Sequence, residues 1–353
     1  RQTPHLPQHG EPRRRLCLDI WGPARGLTGG EELALALRLM GVEVQRTAST
    51  GHVCGFEVIP LPVLDRPRVD VTLRISGLFR DAFGEQIALF DQAVSAVAAR
   101  REPDDWNLLA AQARGLEGEA RKRATARIFG AATGSYGTGV EEHLLHGTWH
   151  NREELGAAWL EGSSWMYGGG RDGTRDQAAL STLLGRAETV LHVQDNAETD
   201  LLESPDIAAH EGGLAAASHM AGGAPAVLHG DTSRPQSPRL RGTADEVARI
   251  VRGRLANPQW IKGMQQHGYA GAAELARGLD ALHGFAATMP QRFDPQFDLV
   301  FAATLGNAEC DDFLRQANPA AREAMRQRFK EAMRRGLWHP RGNSVACVLD
   351  EGE

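Results

Sequence analysis

A chain of 353 residues with 45 acidic and 39 basic side chains, formal charge −6, is not built mainly to neutralise nucleic-acid phosphates. With 42% apolar and 24% charged residues it has the composition of a globular protein, and the length allows about two domains. Four cysteines stand far apart with no CxxC pair, and no apolar run reaches the ~18 residues of a membrane span or follows the start as a signal peptide, so the expectation is a protein of the reducing cytoplasm.

Only Lys122, Lys262 and Lys330 among the 39 cations are lysines; the rest are arginines. A phosphate-cradling P-loop needs Lys followed by Ser or Thr, and these lysines are followed by Arg123, Gly263 and Glu331. The chain is therefore expected to carry no such site of its own. A guanidinium grips a carboxylate through two parallel hydrogen bonds, so abundant arginine suits a ligand rich in carboxylates.

Residues 1–15 are rich in Pro, His and Arg without periodicity and read as a leader or linker, and the start at Arg1 reads as a piece of a longer chain. Leu16 to Trp21 predicts a strand. Thr28-Gly29-Gly30-Glu31 opens a helix with Leu33, Leu37 and Met40 on one face; Gly41 stops it, and Val42 to Gln45 resumes as a strand, giving β-α-β. From Arg68 to Ser76 the apolar Val69, Val71, Leu73 and Ile75 alternate with Asp70, Thr72, Arg74 and Ser76, which predicts a strand with one apolar and one charged face. Gly77 ends it before a helix carrying Phe83, Ile87, Phe90, Val94 and Val97, with Arg80 and Asp81 at the entry, where ligands of open α/β sheets bind. Residues 107–160 read as mainly helical, interrupted by Gly130 to Gly139, and the helical insertion extends over about 107–185. Short strands return at Thr189–Val193 and Ala226–His229. Asn257-Pro258 and Asn318-Pro319 each pair a cap with a first-turn proline in the helical region that follows. The expected fold is α/β, an open parallel-type sheet with flanking helices over 16–240, followed by a mainly helical region over 241–353.

Gly134 to Gly139 has the spacing GxxGxG, not GxGxxG, and reads as a tight turn. His143, His146 and His150 would face a metal only if their helix continued through Gly147, and read as exposed histidines. The acidic run from His192 through Asp195, Glu198 and Asp200 to Glu203, Asp206 and Glu211 follows a strand, as do His229 and Asp231. Either segment could bind a divalent cation through oxygen or take up protons, or be a solvated loop.

Taken in order, WGPARGLTGGEELALALRLMGV (21–42), GFEVIPLPVLDRPRVDVTLRISGLFRDAF (55–83), ARIFGAATGSYGTGVE (126–141), QDNAETDLLESPD (194–206), EGG (211–213), HGDTSRPQSPRLR (229–241), NPQWIKGMQQHGYAGAAEL (257–275) and RGLWHPRGNS (335–344) resemble the CobN/magnesium-chelatase H-subunit family. The match covers nearly everything after residue 15 and corresponds to the C-terminal part of those much longer proteins. Ile207-Ala208-Ala209-His210 stands where aromatic residues usually precede the Glu-Gly-Gly. Leu73-Arg74-Ile75-Ser76-Gly77 is similar to the cobalt branch.

The resemblance implies ATP-dependent insertion of Co²⁺ into hydrogenobyrinic acid a,c-diamide in aerobic cobalamin synthesis, with ATP and Mg²⁺ held by AAA+ motor subunits. The magnesium branch of the family, acting on protoporphyrin IX, and a non-catalytic tetrapyrrole-binding protein are the alternatives. The expected partners are the motor subunits and the corrinoid, with neither nucleic acid nor membrane. Such a substrate needs guanidinium partners: Arg74 and Arg80, with Arg66, Arg68 and Arg127 behind them, joined by Ser76 and Tyr136. Proton transfer falls to Asp195, Asp200, Glu211 and Asp231, and metal binding to Asp200, His229 and Asp231.

Overall fold

The computed structural model describes residues 13–21, 30–47, 49, 53–234, 236–343 and 345–350. The first twelve residues of the expected leader, and Thr28-Gly29 of the expected helix start, lie outside them.

Eight strands form one sheet in the order β10-β9-β8-β1-β4-β5-β6-β7. Their ranges are β1 Arg15–Ile20, β4 Asp70–Ile75, β5 Ile128–Gly130, β6 Trp165–Gly168, β7 Arg171–Arg175, β8 Thr189–Gln194, β9 Ala226–Asp231 and β10 Arg239–Gly242. β1 runs parallel to β4 and β8, and β4 parallel to β5, while β6 and β7 add antiparallel strands at one edge. The expected α/β sheet with a helical C-terminal region is present, with a mixed sheet in place of a purely parallel one.

Two expectations need correction. Val42–Arg46 (β2) does not return to the sheet; it pairs antiparallel with Val53–Val58 (β3) in a separate two-stranded ribbon. The stretch read as a helical insertion contributes β5, β6 and β7, and β5 directly precedes the glycine-rich loop.

The chain divides into two compact units. The first comprises 1–138, 157–195 and 217–228; the second comprises 139–156, 196–216 and 229–353.

In the first unit, β4 is central and buried along its whole length. The predicted charged face of this strand is therefore not solvated. Its polar side chains are closed off by partners: Asp70 by Arg127, and Arg74 by Asp19. The helix Glu31–Met40 buries Leu33, Ala36, Leu37 and Met40 and ends on Gly41, whose φ of 77° is the left-handed conformation that favours glycine. Ser76 caps the helix Gly77–Ala82 by accepting from the Phe79 amide, and Phe90, Val94 and Val97 of the helix Gly84–Ala98 are buried as their spacing predicts.

The second unit is helical. Asn257 and Asn318 accept from the Gln259 and Ala321 amides at the starts of Pro258–Gln266 and Pro319–Arg334, as the cap-proline pairs predict. The helix Gly268–Thr288 is buried along its second half. Trp338 packs against Phe297, Phe301 and Phe329 with ring centroids 5.3–5.9 Å away, which closes the far end of this core. Among the described residues no helix is long and apolar enough to cross a membrane.

Candidate functional site

In the first unit the carboxyl ends of β1, β4, β5 and β8 lie side by side, where α/β sheets bind ligands. Register aligns Asp19 of β1 with Arg74 of β4 on one side and with His192 of β8 on the other. Asp19 Oδ1 is 3.3 Å from Arg74 Nη1, and Oδ2 is 3.3 Å from His192 Nδ1. The Asp19 and Arg74 side chains are fully buried. Burying two charges costs several kcal/mol each unless they are paired, which explains why the carboxylate sits between two potential cations. Arg74 also lies 5.9 Å from the Trp159 ring, and Trp21 packs 6.2 Å from His192.

A second group gathers at the ends of β4 and β5. Ser76 Oγ donates to the Trp21 carbonyl at 2.9 Å. Arg80 holds Asp81 through two hydrogen bonds of 2.7 and 3.0 Å, and its Nη1 donates to the carbonyls of Ala131, Ala132 and Ser135. That guanidinium therefore fastens the glycine-rich loop. Tyr136, 58% exposed, donates its hydroxyl to Asp81 and lies with its ring 5.7 Å from the guanidinium carbon. Arg80 beside Asp81 holds the carboxyl below its usual range. The loop can approach because Gly77 has no side chain: a Cβ there would stand 2.6 Å from the Ser135 carbonyl and 2.7 Å from the Tyr136 ring. Gly77→Ala is expected to cost about 1–3 kcal/mol. A thermal midpoint equal to that of the parent would show that the loop is not held in this contact.

Three of the expected substrate arginines lie at the other edge, before the first residues of the parallel strands they accompany. Arg127 makes a paired contact with Asp70 at 2.6 and 3.0 Å and also donates to Gln112 and the Ala124 and Ala126 carbonyls. Arg68 is buried against Glu102 and donates to the Met40, Gly41 and Ile59 carbonyls. Arg66 donates to the Arg38, Leu39 and Pro67 carbonyls. Arg66, Arg68 and Arg127 thus tie segments of the first unit together, and every guanidinium nitrogen of Arg68 and Arg127 donates to a protein acceptor. Arg74 is likewise enclosed, so Ser76, Arg80 and Tyr136 are the expected residues that reach the carboxyl edge.

Asp195 follows β8 and is half-buried in the first unit; Asp200, Glu211, His229 and Asp231 belong to the second. Glu211 is fully buried in a π-helical turn, Ala208–Gly212, a distortion often found at functional sites. Gly212 makes that turn possible, since a Cβ there would fall 2.0 Å from Thr288 Oγ1. Glu211 accepts from the Thr243 hydroxyl, and its other oxygen lies 3.5 Å from His229 Nδ1.

Asp200, His229 and Asp231 do not converge as a metal site. Both carboxylate oxygens of Asp200 accept from Arg254, at 2.7 and 2.6 Å, and Oδ1 also caps the Leu202 amide. Asp231 Oδ1 accepts from the Ser233 amide and hydroxyl. Burial pushes the Asp231 carboxyl up, but these hydrogen bonds and the nearby His229 and Arg241 outweigh it and hold the group below its usual range. Among the described residues no group of three or more His, Cys, Asp or Glu side chains is arranged to hold a metal ion. His143, His146 and His150 have separate neighbours in Thr148, Glu142 and Glu154.

Asp19 and His192 were not among the residues assigned from sequence to sites. A lone carboxylate inside the apolar run Leu16–Ile20 was the available signal, since an acid in a buried strand must have a partner.

Comparison with known proteins agrees with the resemblance seen in sequence. The family model "CobN/Magnesium Chelatase" matches residues 3–345. The aerobic cobaltochelatase subunits CobN of Pseudomonas aeruginosa and of a Sinorhizobium species are 46% and 42% identical over 96% and 98% of this chain. The magnesium-chelatase H protein of Chlorobaculum parvum is 31% identical over 90% of it. The structure of the catalytic subunit of cobaltochelatase from Mycobacterium tuberculosis superposes with a TM-score of 0.92 at 32% identity, over 97% of this chain and 29% of that one. The chain spans 28% of the length of each of the two CobN proteins. It belongs to the CobN/magnesium-chelatase family.

Proposed function

We propose that the chain is part of the large, tetrapyrrole-binding subunit of an ATP-dependent cobaltochelatase that inserts Co²⁺ into hydrogenobyrinic acid a,c-diamide in aerobic cobalamin synthesis. One observation carries the choice of metal branch: identity to the two CobN proteins is 46% and 42%, against 31% to the magnesium-chelatase H protein of Chlorobaculum parvum. Co²⁺ is the substrate metal in this reading. ATP and Mg²⁺ belong to AAA+ partner subunits, and the cytoplasm is the compartment.

The exposed ring of Tyr136 offers a flat apolar face for a macrocycle, held at a fixed angle by its bond to Asp81. Arg80 fixes the loop behind it. In the second unit, Glu211 beside His229 is a buried acid-imidazole pair able to store a proton. The reading gives Asp195, Asp200 and Asp231 supporting roles in shaping their loops.

The experiment is an absorbance titration of the full-length subunit with the corrinoid and, separately, with protoporphyrin IX. Saturable corrinoid binding, weakened in Tyr136→Ala, supports the reading. Saturable binding of protoporphyrin IX alone would move the chain to the magnesium branch.

A further inference from the structure

An acidic cavity in the second unit takes no part in the chemistry described above. Its volume is about 140 Å³, well below the ~300 Å³ at which small-molecule sites usually begin. A macrocycle does not fit there; an occupant the size of one side chain does.

Among the described residues four carboxylates line it, Glu141, Glu142, Asp206 and Asp280, against one guanidinium, Arg328. That guanidinium is already shared, since Nε donates to Asp280 and Nη1 to Glu331, each at 2.7 Å. The excess charge is negative, yet among the described residues no such group is arranged to hold a metal ion. A second observation points to a ligand. His283 lines the cavity, is 1% exposed, and its Nε2 has no hydrogen-bond partner. Glu331 Oε2 stands 3.8 Å away, beyond hydrogen-bond reach. Burial, with Arg328 and Arg335 beside it, holds the imidazole well below its ordinary value, so the ring is neutral. A buried nitrogen left unsatisfied costs about 1–3 kcal/mol, which an N–H donor entering the cavity would relieve. Leu145, also in the lining, is 67% exposed on the helix Val140–His146, beside the exposed Glu142. A small free ion would leave that leucine in water, whereas a protein surface would cover it.

We propose that this cavity receives one arginine or lysine side chain presented by the AAA+ partner subunits, with an apolar side chain beside it covering Leu145. The inference rests on the chelatase reading above, which supplies the partner, while the cavity supplies the chemistry of recognition. The aliphatic stem of the entering side chain lies along Leu144 and Leu145, and its charged head meets the carboxylates. One of its N–H groups reaches His283 Nε2. Arginine fits better than lysine, because its fixed fork of donors can serve the imidazole and a carboxylate together. An anchor of this kind, shielded from water at its base, is where binding energy between proteins concentrates.

The test is the affinity between the full-length subunit and its AAA+ partners, measured for the parent and three variants. The double variant Glu142→Gln, Leu145→Ala alters two exposed side chains, so it should keep the parent's thermal midpoint and corrinoid affinity. Its partner binding should weaken about 10-fold or more. Glu142→Lys sets a like charge at the mouth and should weaken it further. Glu309→Gln removes one exposed charge from the helix Ala308–Ala317, outside the cavity lining, and should bind as the parent does. Parental affinity in the double variant, or an equal loss in Glu309→Gln, would overturn the proposal and leave the chelatase reading intact. A wild-type complex that inserts no cobalt would overturn that reading, and the choice of partner with it.

Discussion

Arg127→Ala is expected to destabilise the first unit by about 3–5 kcal/mol, a fall in thermal midpoint on the order of ten degrees. The side chains of Arg127 and Asp70 are 1% and 4% exposed and share two hydrogen bonds. Truncation removes the whole guanidinium and leaves the Asp70 carboxylate buried with only the Gln112 amide at 3.4 Å. Breaking a buried pair costs far more than the pair contributes, because the survivor keeps its desolvation penalty. Three further bonds, to Gln112 and to the carbonyls of Ala124 and Ala126, are lost together with it. Calorimetry of the variant decides the matter. An unchanged midpoint with lost corrinoid affinity would return Arg127 to the substrate role that its charge suggested.

Arg74→Ala is the second large effect. Sequence alternation placed Arg74 on the charged face of its strand, and the family resemblance made it an expected partner of the substrate. The structure encloses it completely beside Asp19, so the expectation becomes a loss of about 3 kcal/mol or more. The loss should be partly recovered in the double variant Arg74→Ala, Asp19→Ala, since the second change removes the stranded carboxylate. Chemical denaturation of the three variants measures that coupling. Additive losses would show that Asp19 is held by His192 without help from Arg74.

Cap and core signals were legible because their chemistry is local. Asn257-Pro258 and Asn318-Pro319 state both the cap and the first-turn φ within two residues, and both helices start there. Phe90, Val94 and Val97 repeat at helical spacing and are buried. The strands β5, β6 and β7 are short, and the antiparallel pairing of Phe129 with Met166 joins positions with no local pattern in common. That pairing hid the extra strands inside an apparently helical stretch. β2 was visible as a strand, but its partner is a property of register, which sequence does not carry.

The site was legible in part for the same reason. Ser76 ends a predicted strand and Arg80 follows it, whereas Tyr136 follows β5, which the sequence did not announce, and its ring meets Arg80. The contact between Asp19 and His192 spans 173 positions, and nothing near either residue announces the other. Charge type alone does not name the partner of Asp200. An acidic loop suggests a cation, but the cation present is Arg254, which lies with its guanidinium 5.3 Å from the Trp260 ring. The buried arginines show the same limit: a guanidinium suits a substrate carboxylate and Asp70 equally well, and only burial tells the two apart.

The most direct test is metal insertion by the full-length subunit with its AAA+ partners and ATP, offered Co²⁺ with hydrogenobyrinic acid a,c-diamide and Mg²⁺ with protoporphyrin IX in parallel. The chelatase reading predicts an ATP-dependent cobalt-corrinoid spectrum and none from the magnesium reaction. Magnesium protoporphyrin forming without cobalt corrinoid would contradict it.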